Sequence, residues 1–264
     1  HPISGTSKYK GLKVTTEGSE ATDDPLTVEQ ALQIDVNGES FSVTMQTPGN
    51  EVELVTGLLV GEGIIRRDVV PRIQEIHKTG DYISHVNVDI PGLDMAKIIN
   101  KRSLLSAAAC GICGTRELEM IQGEKLDNQS KALSSSVLAL FNEMSLGQTA
   151  FMESGGSHAA SLFSLEGQML TLKEDVGRHN AVDKVVGDLV IQGTLDQAHF
   201  LVVSGRISYE IVAKCFKART PVLAAVSAPS SLAVDFAKEL GITLLAFCRE
   251  NRFTIYSHPQ RIID

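Results

Sequence analysis

From Val137 onward, short continuous apolar runs alternate with segments that are apolar on one helical face only. Val137 to Met144 has helical spacing. Ala159 to Phe163 and Met169 to Leu172 read as a hairpin turning at Glu166-Gly167. Ala181, Val182, Val185, Val186, Leu189 and Val190 mark one face of a helix. Phe200 to Val203 is a buried strand, and Tyr209, Ile211, Val212, Cys215 and Phe216 mark a second helix face. Val222 to Val226, Leu232 to Leu240, Ile242 to Phe247 and Phe253 to Tyr256 continue as strand, helix, strand and strand. Strands separated by helices predict an α/β fold, with a largely parallel sheet and crossover helices on its faces.

The text before Ser103 differs. Up to about Asp24 it is polar and aperiodic, which predicts a loose tail. Leu32, Ile34, Val36 and then Phe41, Val43, Met45 alternate around Asn37-Gly38, a β-hairpin signature. Val52, Leu54, Val55, Leu58 and Leu59 follow at helical spacing, and Gly61-Glu62-Gly63 ends that helix. Ile73 to Ile76 and Ile83 to Ile90 read as further strands. The expected organisation is a small, sheet-rich α+β domain over residues 25–105, a connection over 106–133, and a larger α/β domain over 134–264. The polar stretch Gly123 to Ser130 has no apolar period and predicts a mobile connection.

Composition narrows the function classes. In 264 residues, 24 Lys and Arg stand against 32 Asp and Glu, a net charge of −8. With no run of five basic residues, a nucleic-acid partner is not expected. An anionic ligand would need a local basic pocket. No apolar run approaches the length of a membrane span. The first six residues lack the apolar core of a secretory leader and carry no functional weight. Four cysteines are too few for a disulfide scaffold, which predicts a reducing compartment.

Cys110 and Cys113 form a CxxC among Ala, Gly and Ser. Such a pair can be a redox dithiol, half of a zinc site, or a carrier of sulfur or metal. Zinc needs four ligands or three plus water, and no second CxxC or nearby His accompanies this pair. A thioredoxin-type motif belongs between a strand and a helix, whereas this one lies between two units. That favours a carrier loop that swings between partners. Arg102 and Arg116 flank it and would favour a thiolate. Cys215 falls on an apolar helix face and Cys248 ends a buried strand, so both read as structural.

Three strand-to-helix junctions carry small polar or cationic residues. They are Lys173 to Asn180, with Arg178 and His179; Ser204-Gly205-Arg206; and Ser227 to Ser231. In a parallel sheet such junctions fall at the carboxyl edge, where ligands bind. Each alone is explained by helix capping; together they point to an anionic, phosphate-bearing ligand. No Walker A or GxGxxG is present. Phe247-Cys248-Arg249-Glu250-Asn251-Arg252 leaves the end of a buried strand with two arginines, a second place for anion and base recognition. His158, after Gly155-Gly156-Ser157, reads equally as an acid/base, a ligand contact or a core histidine.

The ordered set of these residues resembles the FdhD/NarQ family of formate dehydrogenase accessory sulfurtransferases. Thr47-Pro48, Gly57-Leu58-Leu59, Glu62 to Ile65, the CGICG loop, Gly155 to Ala160, Glu174 to Lys184, Ser204-Gly205-Arg206 and Phe247-Cys248-Arg249 carry the resemblance. It implies a cytoplasmic sulfur carrier that takes persulfide sulfur from an IscS-type cysteine desulfurase. The recipient would be the bis-molybdopterin guanine dinucleotide molybdenum cofactor, bound as substrate before its insertion into formate dehydrogenase. It further implies Cys110 as the persulfide carrier with Cys113 assisting, a homodimer, and a larger domain of cytidine deaminase type. Zinc deaminases need H-x-E and P-C-x-x-C. Here Ala159-Ala160 follow His158 and Ala109 precedes Cys110, so neither zinc nor deamination is expected. The rival readings are a non-catalytic chaperone of the molybdenum cofactor and a zinc-dependent deaminase-like enzyme.

Overall fold

The computed structural model describes residues 5–96, 98 and 123–264; Cys110 and Cys113 lie outside them. Strands β1 (Thr6–Thr15) and β2 (Gly18–Thr27) form a ten-pair antiparallel hairpin where a loose tail is expected. Almost every residue of the hairpin is exposed on both faces, so no apolar alternation marks it in the sequence. Cross-strand chemistry holds it instead: Lys13 faces Glu20 at 3.7 Å, and Lys10 pairs opposite Asp23.

Strands β3 (Gln30–Val36) and β4 (Glu39–Gln46) form the expected hairpin. Asn37 and Gly38 turn it with φ of 53° and 80°, the left-handed conformation that a tight hairpin demands. Helix α1 (Glu51–Gly61) follows, then β5 (Arg72–Thr79) and β6 (Tyr82–Asp89). The resulting four-stranded sheet has the order β4-β3-β6-β5.

After β7 (Ala132–Leu133) come α2 (Ser134–Gly147) and the short α3 (Thr149–Ser154), which the sequence does not announce. Then come β8 (His158–Phe163), β9 (Met169–Asp175), α4 (Arg178–Gln192), β10 (Phe200–Val203), α5 (Tyr209–Lys217) and β11 (Val222–Ala225). The chain ends with α6 (Ser231–Leu240), β12 (Thr243–Arg249), β13 (Arg252–Ser257) and β14 (Ile262–Ile263). The large sheet has the order β13-β12-β11-β10-β8-β9. Neighbouring strands pair parallel only along β10-β11-β12; β8 pairs antiparallel with both β9 and β10, and β13 with β12. The expectation of a largely parallel sheet is therefore corrected to a mixed one. The β8–β9 and β12–β13 links are tight hairpins without a helix, which forces antiparallel pairing.

Alternate residues of β10 face opposite layers. Phe200 and Val202 pack with Val137, Leu140 and Met144 of α2, while Leu201 and Val203 join the helices α4, α5 and α6. The second cluster continues without a break to Leu32, Val55 and Val86 of the small sheet and α1. Helices α1 and α4 touch at backbone distance. A Cβ on Gly57 would lie 1.8 Å from the Asp183 carbonyl oxygen, and one on Gly187 would lie 1.8 Å from that of Glu53. Only glycine permits that approach.

The stretch from Gly123 to Ser130 makes hydrogen bonds to the body of the protein. Leu126 is buried and its N–H donates to the Leu240 carbonyl at 2.9 Å. The buried Arg261 donates to the carbonyls of Asn128 and Gly241, each at 2.7 Å, and to Leu126 at 3.3 Å. One guanidinium thus satisfies backbone groups that no sheet or helix pairs.

Candidate functional site at the carboxyl edge of the large sheet

Strand β9 runs parallel to β10, so its end and the ends of β10, β11 and β12 open on one edge. Strand β8 begins at that same edge: His158 pairs opposite Asp175, and Ala160 opposite Val203. The edge therefore gathers Arg178 and His179, Ser204 to Arg206, Ser227, and Phe247 onward. Backbone bonds lace the junctions together. Ser204 N–H donates to Ala159 O at 3.0 Å, and Ala159 N–H donates to Ser204 Oγ at 2.9 Å. Ser227 Oγ donates to Ser204 O at 3.3 Å, and Phe247 N–H donates to Ser227 O at 3.2 Å.

The start of α4 rests on a buried ion pair. Lys184 Nζ lies 2.7 Å from Asp175 Oδ2, with side chains 1% and 0% exposed. Every partner around it is polar. Asp175 accepts from Thr47 N–H at 3.0 Å, Gly177 N–H at 2.7 Å and Asn180 Nδ2 at 3.0 Å. Lys184 also donates to Thr47 O at 2.6 Å. Buried charges survive only when paired and hydrogen-bonded in this way. Because Arg178 and His179 open the helix that this network anchors, their placement depends on Thr47, more than a hundred residues earlier. Periodicity carries no signal of these partners; only the Thr47-Pro48 and Glu174-to-Lys184 motifs include them.

His158 is half-buried between Gly205 and the two arginine junctions. A Cβ on Gly205 would stand 3.2 Å from His158 Nδ1 and 3.3 Å from Arg178 Cβ, so a glycine keeps this passage narrow but open. Burial, then Arg178 and Arg206, push the His158 pKa below its ordinary value, against the pull of Asp175. The imidazole is thus neutral at neutral pH and can donate or accept one hydrogen bond. His179 is occupied: its Nε2 lies 2.9 Å from Glu210 Oε2 and 3.3 Å from Ser208 Oγ. The Arg178 Nε is buried and has no hydrogen-bond partner among the described residues.

Arg206 is exposed at the rim. Arg249 is exposed too, but its Nη1 donates to Val226 O at 2.7 Å and Cys248 O at 2.8 Å, which fixes the guanidinium beside the β11 junction. Phe247 is 42% exposed and adopts φ of 54° at a bulge in the β12–β13 pairing. A bulky residue in that region is strained, and such strain collects at ligand sites. Glu250, Asn251 and Arg252 form the exposed tip beyond it. Cys248 differs from its neighbours: its thiol is 2% exposed and packs in the α2 core, not at the edge. Of the residues expected to meet the ligand from Phe247 to Arg252, Cys248 is the one whose side chain lies in the core. Burial pushes its thiol up to about 12 and raises that of Cys215 further. Neither is a thiolate at neutral pH, as their reading as structural cysteines requires.

The α/β fold thus gathers Arg178, Arg206, Arg249 and Arg252, with the exposed and strained Phe247, along one sheet edge. The model of the FdhD/NarQ family matches residues 27–263, and the chain belongs to that family. A protein of Sulfolobus acidocaldarius named sulfur carrier protein FdhD is 40% identical over 97% of this chain and 98% of its own. One of the same name from Mycolicibacterium paratuberculosis is also 40% identical, over 97% and 98%. The crystal structure of a Desulfotalea psychrophila protein, whose assigned role is formate dehydrogenase accessory protein, shares the fold. It has a TM-score of 0.77 at 23% identity, over 98% of this chain and 99% of that one. No helix of the described residues is long and apolar enough to cross a membrane.

Proposed function

We propose that this chain is a sulfur carrier of formate dehydrogenase maturation. Cys110 takes persulfide sulfur from an IscS-type cysteine desulfurase, Cys113 assists, and the sulfur passes to the bis-molybdopterin guanine dinucleotide cofactor held as substrate. In this reading the chain works in the cytoplasm as a homodimer. Residues 134–264 form a cofactor-binding domain of cytidine-deaminase type without deaminase chemistry, and residues 25–105 support it through α1.

The observation that carries the reading is the convergence of Arg178, Arg206, Arg249 and Arg252 on one edge of a protein with net charge −8. Guanidiniums and open N–H groups suit pyrophosphate. The exposed Phe247 ring suits a guanine face. In the loading step the Cys110 thiolate attacks the outer sulfur of the donor persulfide. The donor S–S bond breaks, its cysteine leaves as a thiolate, and Cys110 carries the new S–S bond. The buried thiols of Cys215 and Cys248 are unsuited to that attack.

The test is intact-mass analysis and peptide mapping after incubation with an IscS-type desulfurase and cysteine. One added sulfur on Cys110, absent from Cys110→Ala, is expected. Sulfur found on Cys113 and never on Cys110 would overturn the residue assignment. Full activation of formate dehydrogenase by Cys110→Ala and Cys113→Ala would favour a cofactor chaperone.

A further inference from the structure

A cavity of about 760 Å³ lies away from the edge, where α1, α4 and α5 end. Its wall is mixed: Val60, Ile65, Leu189, Leu195 and Phe216 line part of it, and charged side chains line the rest. Arg66, Arg67, Lys217 and Arg219 ring it, against only Asp68 and Asp196. On a chain with eight more acidic than basic residues, an excess of two positive charges around one hollow marks a place for an acidic partner.

Arg66 is paired with Asp68 through two bonds, at 3.1 and 3.2 Å, and the other two arginines are also held in advance. Arg67 Nη1 is fixed by Asp196 at 2.6 Å, while its Nε is buried and has no hydrogen-bond partner among the described residues. The Arg67 side chain as a whole stays 28% exposed, which leaves its charge within reach of a carboxylate brought from outside. Arg219 stands over the Phe216 ring at 5.6 Å and donates to Glu124 O at 2.6 Å. Its backbone has φ of 59°, a strained conformation for arginine. Placement of both side chains before binding lowers the ordering cost of a docked partner.

The cavity is also in a telling place. Gly123 forms part of its wall and follows Cys113 by ten residues in the sequence. The cationic edge lies at the other end of α4, whose 15 residues span about 22 Å. A donor seated at the cavity meets Gly123, ten residues after the CxxC in the sequence, and leaves the edge clear for the cofactor.

Resting on the sulfur-carrier reading above, we infer that this cavity is the docking site of the sulfur donor. An acidic segment of the desulfurase seats there, with a carboxylate on Arg67 and Arg219.

The experiment compares two sulfur sources on the full chain. One is an IscS-type desulfurase with cysteine; the other is inorganic polysulfide, which needs no docking. Persulfide formation is followed by intact mass in wild type, Arg67→Glu with Arg219→Glu, and Arg67→Lys with Arg219→Lys. The charge reversal should slow loading by the desulfurase about ten-fold or more, and leave polysulfide loading at the wild-type rate. The lysine pair should lie between the two, and wild-type loading by the desulfurase should fall with added salt. Desulfurase loading of the reversed variant at the wild-type rate would overturn the docking site while leaving the carrier function intact. A polysulfide rate that falls equally would attribute the effect to the fold and overturn it as well. Wild-type protein loaded by neither source would overturn the carrier reading, and the docking site with it.

Discussion

The two ends of α4 are built in different ways. At its start, Arg178 and His179 stand on a fully buried ion pair whose partners come from Thr47 just after β4, from β9 and from α4 itself. At its end, the cationic cavity mixes apolar and charged side chains, and its arginines are set by exposed carboxylates and one strained turn. The first end is over-determined by buried polar bonds. The second is held by packing. A site that must grip one cargo in one register gains from the first construction; a surface that must meet and release a protein gains from the second.

The sharpest way to break this comparison is Lys184→Met. It strands Asp175 as an unpaired buried charge and should cost about 3–5 kcal/mol, read by chemical denaturation. Where the variant remains folded, affinity for GDP, the guanosine diphosphate part of the cofactor, should fall as well, because α4 loses its anchor. Unchanged stability would mean that the pair does not hold the edge. Gly187→Ala probes the helix itself: a methyl 1.8 Å from Glu53 O must push α1 and α4 apart, with an expected loss of about 3 kcal/mol. A loss under about 1 kcal/mol would show that the helix contact yields freely.

Much of this frame is legible in the sequence, and the exceptions share a cause. Asn37-Gly38 announces its hairpin because a tight turn restricts residue choice. The helix faces of α4 and α5 are legible because one side of each is buried. The β1–β2 hairpin is invisible because both its faces meet water, so no residue alternation is required. The mixed sheet is misread because a strand's own residues do not state its neighbour's direction; only the missing helices between β8 and β9, and between β12 and β13, do so. The edge residues are readable as junctions. Their support is not, since Asp175, Lys184 and Thr47 meet only in the folded chain. The cavity is unreadable for the same reason: its lining comes from four separate stretches of sequence.

Smaller effects sharpen the account. Arg178→Ala and Arg206→Ala should each weaken GDP binding about ten-fold, roughly 1.4 kcal/mol, with little change in stability. Arg249→Ala with Arg252→Ala should act in the same direction; unchanged affinity would remove the terminal hairpin from the site. The smallest expected effect is one of pH. The buried His199, with no partner for its Nε2, has its pKa lowered to about 4, mainly by burial. A histidine depressed in the folded state leaves stability intact above its unfolded value near 6.5, and stability falls as pH drops from there toward 4. Replacing it with Gln should remove on the order of 1 kcal/mol of that acid loss, after allowance for water at the ring edge. Identical pH profiles for the two proteins would place the acid sensitivity elsewhere, with His158 as the next candidate, since its shift has the same sign.

The central claim is that cargo and donor are served by opposite ends of α4. It is tested most directly by GDP titration calorimetry on two variant pairs in parallel. Arg178→Ala with Arg206→Ala, at the edge, should bind GDP at least about a hundred-fold more weakly if the two losses add. Arg67→Glu with Arg219→Glu, at the cavity, should bind GDP as wild type does. Equal weakening in both pairs, or weakening confined to the cavity pair, would contradict the account.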